Sequence, residues 1–315
     1  VHSEKAEVEG WRNDMPGRFK IKHLQLTLMI LPAVVFFFVF SYIPMVGLSL
    51  AFQDFQYSKG MLSDFIGFKN FEFLFQSGDA LRITRNTILY NLSFIIINLV
   101  LQVTCAIAIS EFINRRFKKI AQTMMFLPYF LSWVVLGAFV YNMFSYEYGV
   151  VNTVLGSLNL DLINVYSNTG WWPFIIVVFQ SWKSVGYGTI IYTAAIVGID
   201  QEMYEAADID GANVLQKIIN ITLPMLKPTI VVLILLNLSH VIRGDFNMFY
   251  NLTGNNPMLF GNTDIIETYV FRALTSTGDI GMGAAAGFYQ AVFGFVVIVS
   301  VNTIIKKLQP DYSLF

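Results

Sequence analysis

Runs of residues without a single Asp, Glu, Lys or Arg dominate the chain, at 24–53, 86–110, 120–146 and 280–305. Each exceeds the roughly 20 mostly apolar residues that a helix needs to cross the hydrocarbon core of a bilayer. Two further apolar runs carry a little charge: 171–197 holds Lys183, and 228–250 holds Arg243 and Asp245 near its end. Backbone groups surrounded by lipid must bond within their own segment, so these runs are expected to be helices. The pattern predicts an all-α membrane protein with six transmembrane helices. The apolar run after residues 1–23 is too long for a signal-peptide core, and no small-residue cleavage site follows it, which predicts a retained first span.

The polar segments between the runs set an orientation. With the N-terminus inside, segments 1–23, 111–119, 198–227 and 306–315 hold thirteen Lys and Arg residues, whereas 54–85, 147–170 and 251–279 hold five. Cationic residues favour the cytoplasmic side, so both termini are expected there. The expected organisation is a cytoplasmic segment 1–23, a transmembrane domain 24–305 that includes a cytoplasmic loop 198–227, and a cytoplasmic tail 306–315.

Composition narrows the classes. Only 13% of the residues are charged, against about 25% for a soluble domain, which excludes an ordinary soluble enzyme. A net charge of −1 with no basic stripe gives no footing for nucleic acid. Cys105 is the only cysteine and sits in an apolar run, where it reads as a small buried hydrophobe. The histidines, His2, His23 and His240, are scattered, so no clustered metal site is expected.

The chemistry concentrates in residues 200–224, DQEMYEAADIDGANVLQKIINITLP. Asp200 suits an N-cap, and Glu202 falls in the first turn, where the helix dipole favours negative charge. Met203, Ala206 and Ala207 form a small apolar face, and Gly211 ends the helix. A second segment with Leu215, Ile218, Ile219 and Leu223 runs to Pro224 and Pro228, which are expected to break the start of the fifth span. A short amphipathic helix between two spans suits a groove on a soluble partner.

Glu205, Ala206 and Ala207, then Gly211, then Ile221, Leu223 and Pro224 resemble the signature loop of ABC importer permeases at the family's spacing. Asp210 and Ala212 match the extended form of sugar-importer permeases, with Ile218 where a Phe is common. Arg243 to Phe246, residues 277–281 and residues 310–315 look like permeases for complex oligosaccharides, alginate-type and pectin-type importers among them.

The resemblance implies a coupling helix at 205–211, between helices 4 and 5, that follows a separate ATPase dimer. ATP and Mg would be bound by that dimer and no cofactor by this chain, which has no Gly-Lys pair for a phosphate loop and is not expected to be an enzyme. Two ATPases require a second permease, expected to be a paralogue. A solute-binding protein outside the membrane would dock on segments 54–85 and 251–279. The expected setting is the bacterial cytoplasmic membrane, the expected cargo an oligosaccharide. A peptide or amino-acid ABC permease shares the coupling loop. An ion-coupled secondary transporter would show internal repeats and buried carboxylates, and a scaffold subunit would move nothing.

Charges within spans mark functional positions. Trp182, Lys183, Arg243, Asp245, Phe246 and Asn247 are the candidate substrate pathway, because aromatic faces, amides and charges suit sugars. Lys183–Asp245 or Arg243–Asp245 pairing, as an interhelical brace, is the competing reading. Unpaired, the two cations favour uronate-bearing cargo. Asn98, Gln102, Gln180 and Gln290 fit either the pore or bonds between helices.

Overall fold

The computed structural model describes residues 16–76, 78–276 and 278–308. Expectations resting on residues 1–15, Thr277 and residues 309–315 lie outside these. The described chain is mostly helical, with five helices long and apolar enough to cross a membrane, or six if one bent pair counts as a span.

The first span is α1 (Pro16–Phe37), continued by a π-helical turn, Phe38–Tyr42, and a 3-10 stretch, Ile43–Phe52. Its apolar side chains, Leu28 to Phe40 among them, are largely exposed, as a lipid-facing surface requires. A two-residue hairpin pairs β1 (Gln53–Asp54) with β2 (Asp64–Phe65), and α2 (Lys69–Gln76) leads to α3 (Asp79–Ser110).

The apolar run 120–146 is not one helix. Helix α4 (Arg115–Phe126) passes through a 3-10 turn, Leu127–Phe130, into α5 (Trp133–Phe144), bent by 95°. Pro128 falls in that turn, and the Ser132 hydroxyl caps α5 by accepting from Val135 N–H at 3.3 Å. Helix α6 (Val150–Ser157) precedes α7 (Trp172–Val197), which packs most closely on α3. Glycines on α7 permit close approach on two sides: a Cβ at Gly188 would collide with Gln102 of α3, and one at Gly186 with the Met125 and Phe126 backbone of α4.

After α7 come α8 (Gln201–Ile209), α9 (Val214–Lys217), a π turn at Ile218–Thr222, and α10 (Leu223–Leu238). The prolines do not break the start of this span, contrary to the sequence expectation. Leu223 N–H reaches five residues back to the Ile218 carbonyl, widening the helix immediately before Pro224. Ile43 N–H makes the same bond to Phe38 immediately before Pro44. In both places a π turn accommodates the ring and its missing donor.

A second correction concerns 228–250. The helix stops at Leu238, residues 239–242 form turns and 243–245 are irregular, and α11 (Phe246–Thr253) starts afresh. Short α12 (Phe260–Thr263) and α13 (Ile266–Thr275) lead to α14 (Ile280–Leu308). A buried core of Tyr90, Phe94, Leu136, Trp172, Phe249 and Ile265 joins α3, α5, α7 and α11. Asp264, fully buried, fixes the 257–275 region to α3. It accepts from both Arg272 Nη atoms, at 2.9 and 2.6 Å, and from Arg82 at 3.3 Å, while Asp79 pairs with Arg82 at 2.7 Å. Two cations against two anions leave the buried cluster balanced, as its burial requires.

Candidate functional site: a cavity at two helix breaks

Both interruptions face the same space. A cavity of about 800 Å³ is lined by α3 (Asn91, Phe94), the bend before and into α5 (Tyr129 and residues 131–134), α7 (Gln180, Lys183, Ser184) and, around the second break, Arg243, Gly244, Asp245, Asn247, Met248 and Asn251. A second cavity of about 380 Å³ shares Asn91, Gln180 and Arg243 with it and extends along α3, α7 and α10 towards His240 and Tyr192.

Four of the six predicted pathway residues line the larger cavity: Lys183, Arg243, Asp245 and Asn247. Trp182 does not; its ring meets Phe179, on another face of α7. Successive helical residues point about 100° apart, so Trp182 cannot share the direction of Lys183. Phe246 also lies outside, against Tyr250 and Phe271.

Neither predicted ion pair forms. The Lys183 ammonium donates to the carbonyls of Tyr129 at 2.6 Å, Leu131 at 2.5 Å and Pro128 at 3.5 Å. These are carbonyls freed where the helix of the third span ends, and a cation complements that end of the dipole. The same ammonium lies 5.5 Å from the Tyr129 ring centroid and 5.4 Å from that of Trp133. Asp245 instead caps α11, accepting from Met248 N–H at 3.0 Å and from the Trp133 indole N–H at 2.8 Å. Trp133 was not among the predicted site residues. Its signal was available, since a Trp just after Pro128 and Ser132 needs a partner for its N–H.

The 239–245 break has its backbone groups satisfied from three different helices. Asn91 Nδ2 donates to the carbonyls of Val241 at 2.8 Å and Arg243 at 3.1 Å. Gln290 of α14 donates to Ile242 O at 2.8 Å, and Glu267 of α13 accepts Gly244 N–H at 2.8 Å. Gln290 also donates to Glu267 at 2.6 Å, so the carboxylate is itself held. Burial pushes the Glu267 carboxyl up from its usual range, while these donors and nearby Arg243 pull it back. A Cβ at Gly244 would strike Ile265 Cδ1 and lie 2.7 Å from Glu267 Oε2, so a larger residue here would push these two side-chain tips aside. Held this way, Arg243, Asp245 and Asn247 are exposed to the cavity and Met248 turns inward. Asn98 and Gln102 bond Gln180 and Ser184 across α3 and α7, at 2.9 and 3.3 Å.

The predicted 200–224 loop follows the C-terminal end of α7, about 20 Å along the helix from Lys183. Asp200 caps α8 by accepting from Glu202 N–H at 3.0 Å. At the far end Gly211 has φ +77°, and Gly211 and Ala212 N–H return to Asp208 and Ala207 at 3.1 and 2.9 Å, closing a Schellman motif. Tyr204 bonds Thr222 at 2.9 Å and Lys217 pairs with Asp208 at 2.7 Å, tying α8 to the start of the fifth span. No residue of α8 is buried: Glu205, Ala206 and Asp210 are exposed, Ala207 is half-buried, and Ile209 is 87% exposed. Beyond it Gly211, Leu223 and Pro224 are exposed and Ala212 is half-buried. Among the described residues no group of acidic, His or Cys side chains is placed to hold a metal ion.

A family model described as a binding-protein-dependent transport system inner membrane component matches residues 83–310. The chain belongs to this family. This permease is 32% identical over 305 residues to the polygalacturonan/rhamnogalacturonan transport system permease protein YteP of Bacillus subtilis (strain 168), covering 96% of this chain and 94% of that one. It is 31% identical over 287 residues to protein LplB of the same organism, covering 91% and 90%. It matches, with a TM-score of 0.84 and 30% identity over 93% of its length and 98% of the other's, a chain of a bacterial ABC transporter involved in the import of the acidic polysaccharide alginate. A chain of a bacterial alginate ABC transporter in complex with an alginate pentasaccharide-bound periplasmic protein gives 0.83 and 30%, over 94% and 98%. It is therefore a multi-pass membrane permease of the ABC sugar-transport family.

Proposed function

We propose that this permease passes oligosaccharides, acidic ones included, through the cavity at the two helix breaks, by alternating access driven by a separate ATPase dimer. The observation that carries the cargo reading is Arg243. It projects into a cavity of about 800 Å³ lined also by Asn91, Gln180, Tyr129 and Trp133, and none of the described acidic side chains forms an ion pair with it. Amides and aromatic faces suit sugar hydroxyls and ring faces, and a guanidinium suits a carboxylate. Lys183 contributes less than its charge suggests, because its three protons are engaged with carbonyls. The relatives named for polygalacturonan and alginate transport support the same class.

The remaining parts follow as one assembly. Counting the bent α4–α5 pair as one span gives six, with both termini in the cytoplasm, ends at 1–23 and 306–315, and the loop 198–227 on the same side. Residues 205–211 act as the coupling helix, with Ala212, Leu223 and Pro224 completing the docking region. Its exposed Glu205, Ala206 and Ile209 face is free to seat in an ATPase groove. A second permease, a paralogue, completes the pore, and a solute-binding protein delivers cargo at segments 54–85 and 251–279. ATP and Mg belong to the ATPase subunits.

The test is uptake by the complete importer in proteoliposomes, comparing Arg243→Met with the parent on a galacturonate trimer and a neutral trimer. Loss of one charge-assisted hydrogen bond, about 1.5–3 kcal/mol, predicts a roughly 10- to 100-fold fall for the acidic trimer and a much smaller one for the neutral trimer. Equal falls would remove the acidic preference.

A further inference from the structure

A third cavity, of about 560 Å³, lies on the side of the molecule away from α8 and shares Asn251 with the 800 Å³ cavity. The ledge between the two is a close contact of α5 and α11, where a Cβ at Gly137 would strike the Asn251 carbonyl. Its polar lining includes Tyr141, Tyr146, Tyr166, Asn164, Asn251 and Asn256. We infer that this cavity is a further glycosyl subsite, engaging sugar units of a long chain that extend beyond those held beside Arg243. The inference rests on the oligosaccharide reading above and adds a determinant of chain length to it.

The amides are oriented. Asn164 Oδ1 accepts Ser167 N–H at 3.0 Å, and Asn256 Oδ1 accepts Met258 N–H at 3.0 Å, which leaves both Nδ2 groups as donors. Asn251 is the reverse: Nδ2 donates to Asn247 O at 2.7 Å and Oδ1 is left as an acceptor. The hydroxyls of Tyr141, Tyr146 and Tyr166 have no hydrogen-bond partner among the described residues. Two fixed donors, one fixed acceptor and three hydroxyls that serve as either match the mixed hydrogen bonding of sugar hydroxyls.

Tyrosines near a membrane surface commonly form an interfacial belt against lipid headgroups. Here the rings come from α5, the segment after it and the segment before α7, and they meet amides around a concavity. Tyr141 and Tyr166 pack edge to face at 6.0 Å, and Tyr166 is backed by buried Trp172 at 5.3 Å, so one wall is fixed. Glu147 is the one carboxylate in the lining and no Lys or Arg is present, so this cavity reads hydroxyls rather than uronate groups. Its volume falls in the range of small-molecule sites, roughly 300–1,000 Å³.

The test uses the complete importer in proteoliposomes, with saturating binding protein loaded with a galacturonate dimer or a galacturonate hexamer. For the double variant Tyr141→Ala/Tyr146→Ala, loss of two aromatic contacts predicts an about tenfold slower uptake of the hexamer and a dimer rate within about twofold of the parent. Tyr141→Phe/Tyr146→Phe keeps the rings and the packing, and predicts an about threefold hexamer-selective loss. An unchanged hexamer rate in both variants overturns the inference. So does an equal loss for both lengths in the Phe variant, which would assign the cavity to binding-protein docking. Failure of the oligosaccharide reading has a separate sign: the parent importer takes up neither oligomer, and the subsite falls with it.

Discussion

The α8 region and the 239–245 break are both short interruptions between membrane helices, yet they are held in opposite ways. Every described hydrogen bond that shapes α8 comes from nearby in the chain: Asp200 to Glu202, Ala212 to Ala207, Lys217 to Asp208, Tyr204 to Thr222. The break depends on Glu267, Gln290 and Asn91, which are 23, 48 and 150 residues from the backbone groups they bind. A self-contained helix can shift as one body without losing its own bonds. A segment bracketed by three helices moves only when those helices move, and it then carries Arg243 and Asp245 with it. Under the proposed coupling role, the first region would receive motion and the second would report it to the cavity.

The largest effect that would break this comparison is expected at Glu267. Glu267→Ala leaves Gly244 N–H and one of the two Gln290 amide protons unpaired in a part-buried setting, a cost of about 3 kcal/mol, and predicts a roughly 100-fold loss of uptake. Glu267→Gln keeps an acceptor for Gly244 and predicts uptake within about fivefold of the parent. Equal damage by the two would mean that the charge, not the bracket, matters. Next comes Lys183→Met, which removes the donor from three carbonyls beside a water-accessible cavity. Its expected cost is about 1–2 kcal/mol, visible as a lower Tm and as a loss for neutral and acidic cargo alike. A loss confined to acidic cargo would return Lys183 to direct substrate contact. The smallest effect is expected at Gly211, where φ +77° makes Gly211→Ala cost about 1 kcal/mol, confined to α8. It should lower ATP-driven uptake with little change in Tm, and a large Tm drop would show that α8 is not a separate unit.

The same contrast explains what could be read from the residues. Apolar runs long enough to span a membrane are visible without partners, and so are the Asp200 cap and the Gly211 stop, because their hydrogen bonds are local. The break at 239–245 was hidden inside an apolar run. Gly244 and the Asp245 cap are its local marks, and the other residues that hold it come from distant helices. The Pro224 expectation failed because a π turn, which has no sequence signal of its own, removes the clash. Trp182 and Phe246 were grouped with their neighbours by adjacency, whereas the cavity selects by direction. The charged residues of the candidate pathway stood out as charges inside apolar runs, but their bonds did not: Lys183 caps carbonyls and Asp245 caps a helix.

The central claim is that this chain moves oligosaccharide only as the passive, ATPase-driven part of a larger importer. The direct measurement is galacturonate-oligomer uptake into proteoliposomes, with this chain alone under an imposed ion gradient, and with the second permease, ATPase dimer, binding protein and enclosed ATP. The account predicts uptake only in the complete, ATP-supplied system, and its loss when Glu205→Lys disrupts the exposed face of α8. Gradient-driven uptake by this chain alone would contradict it.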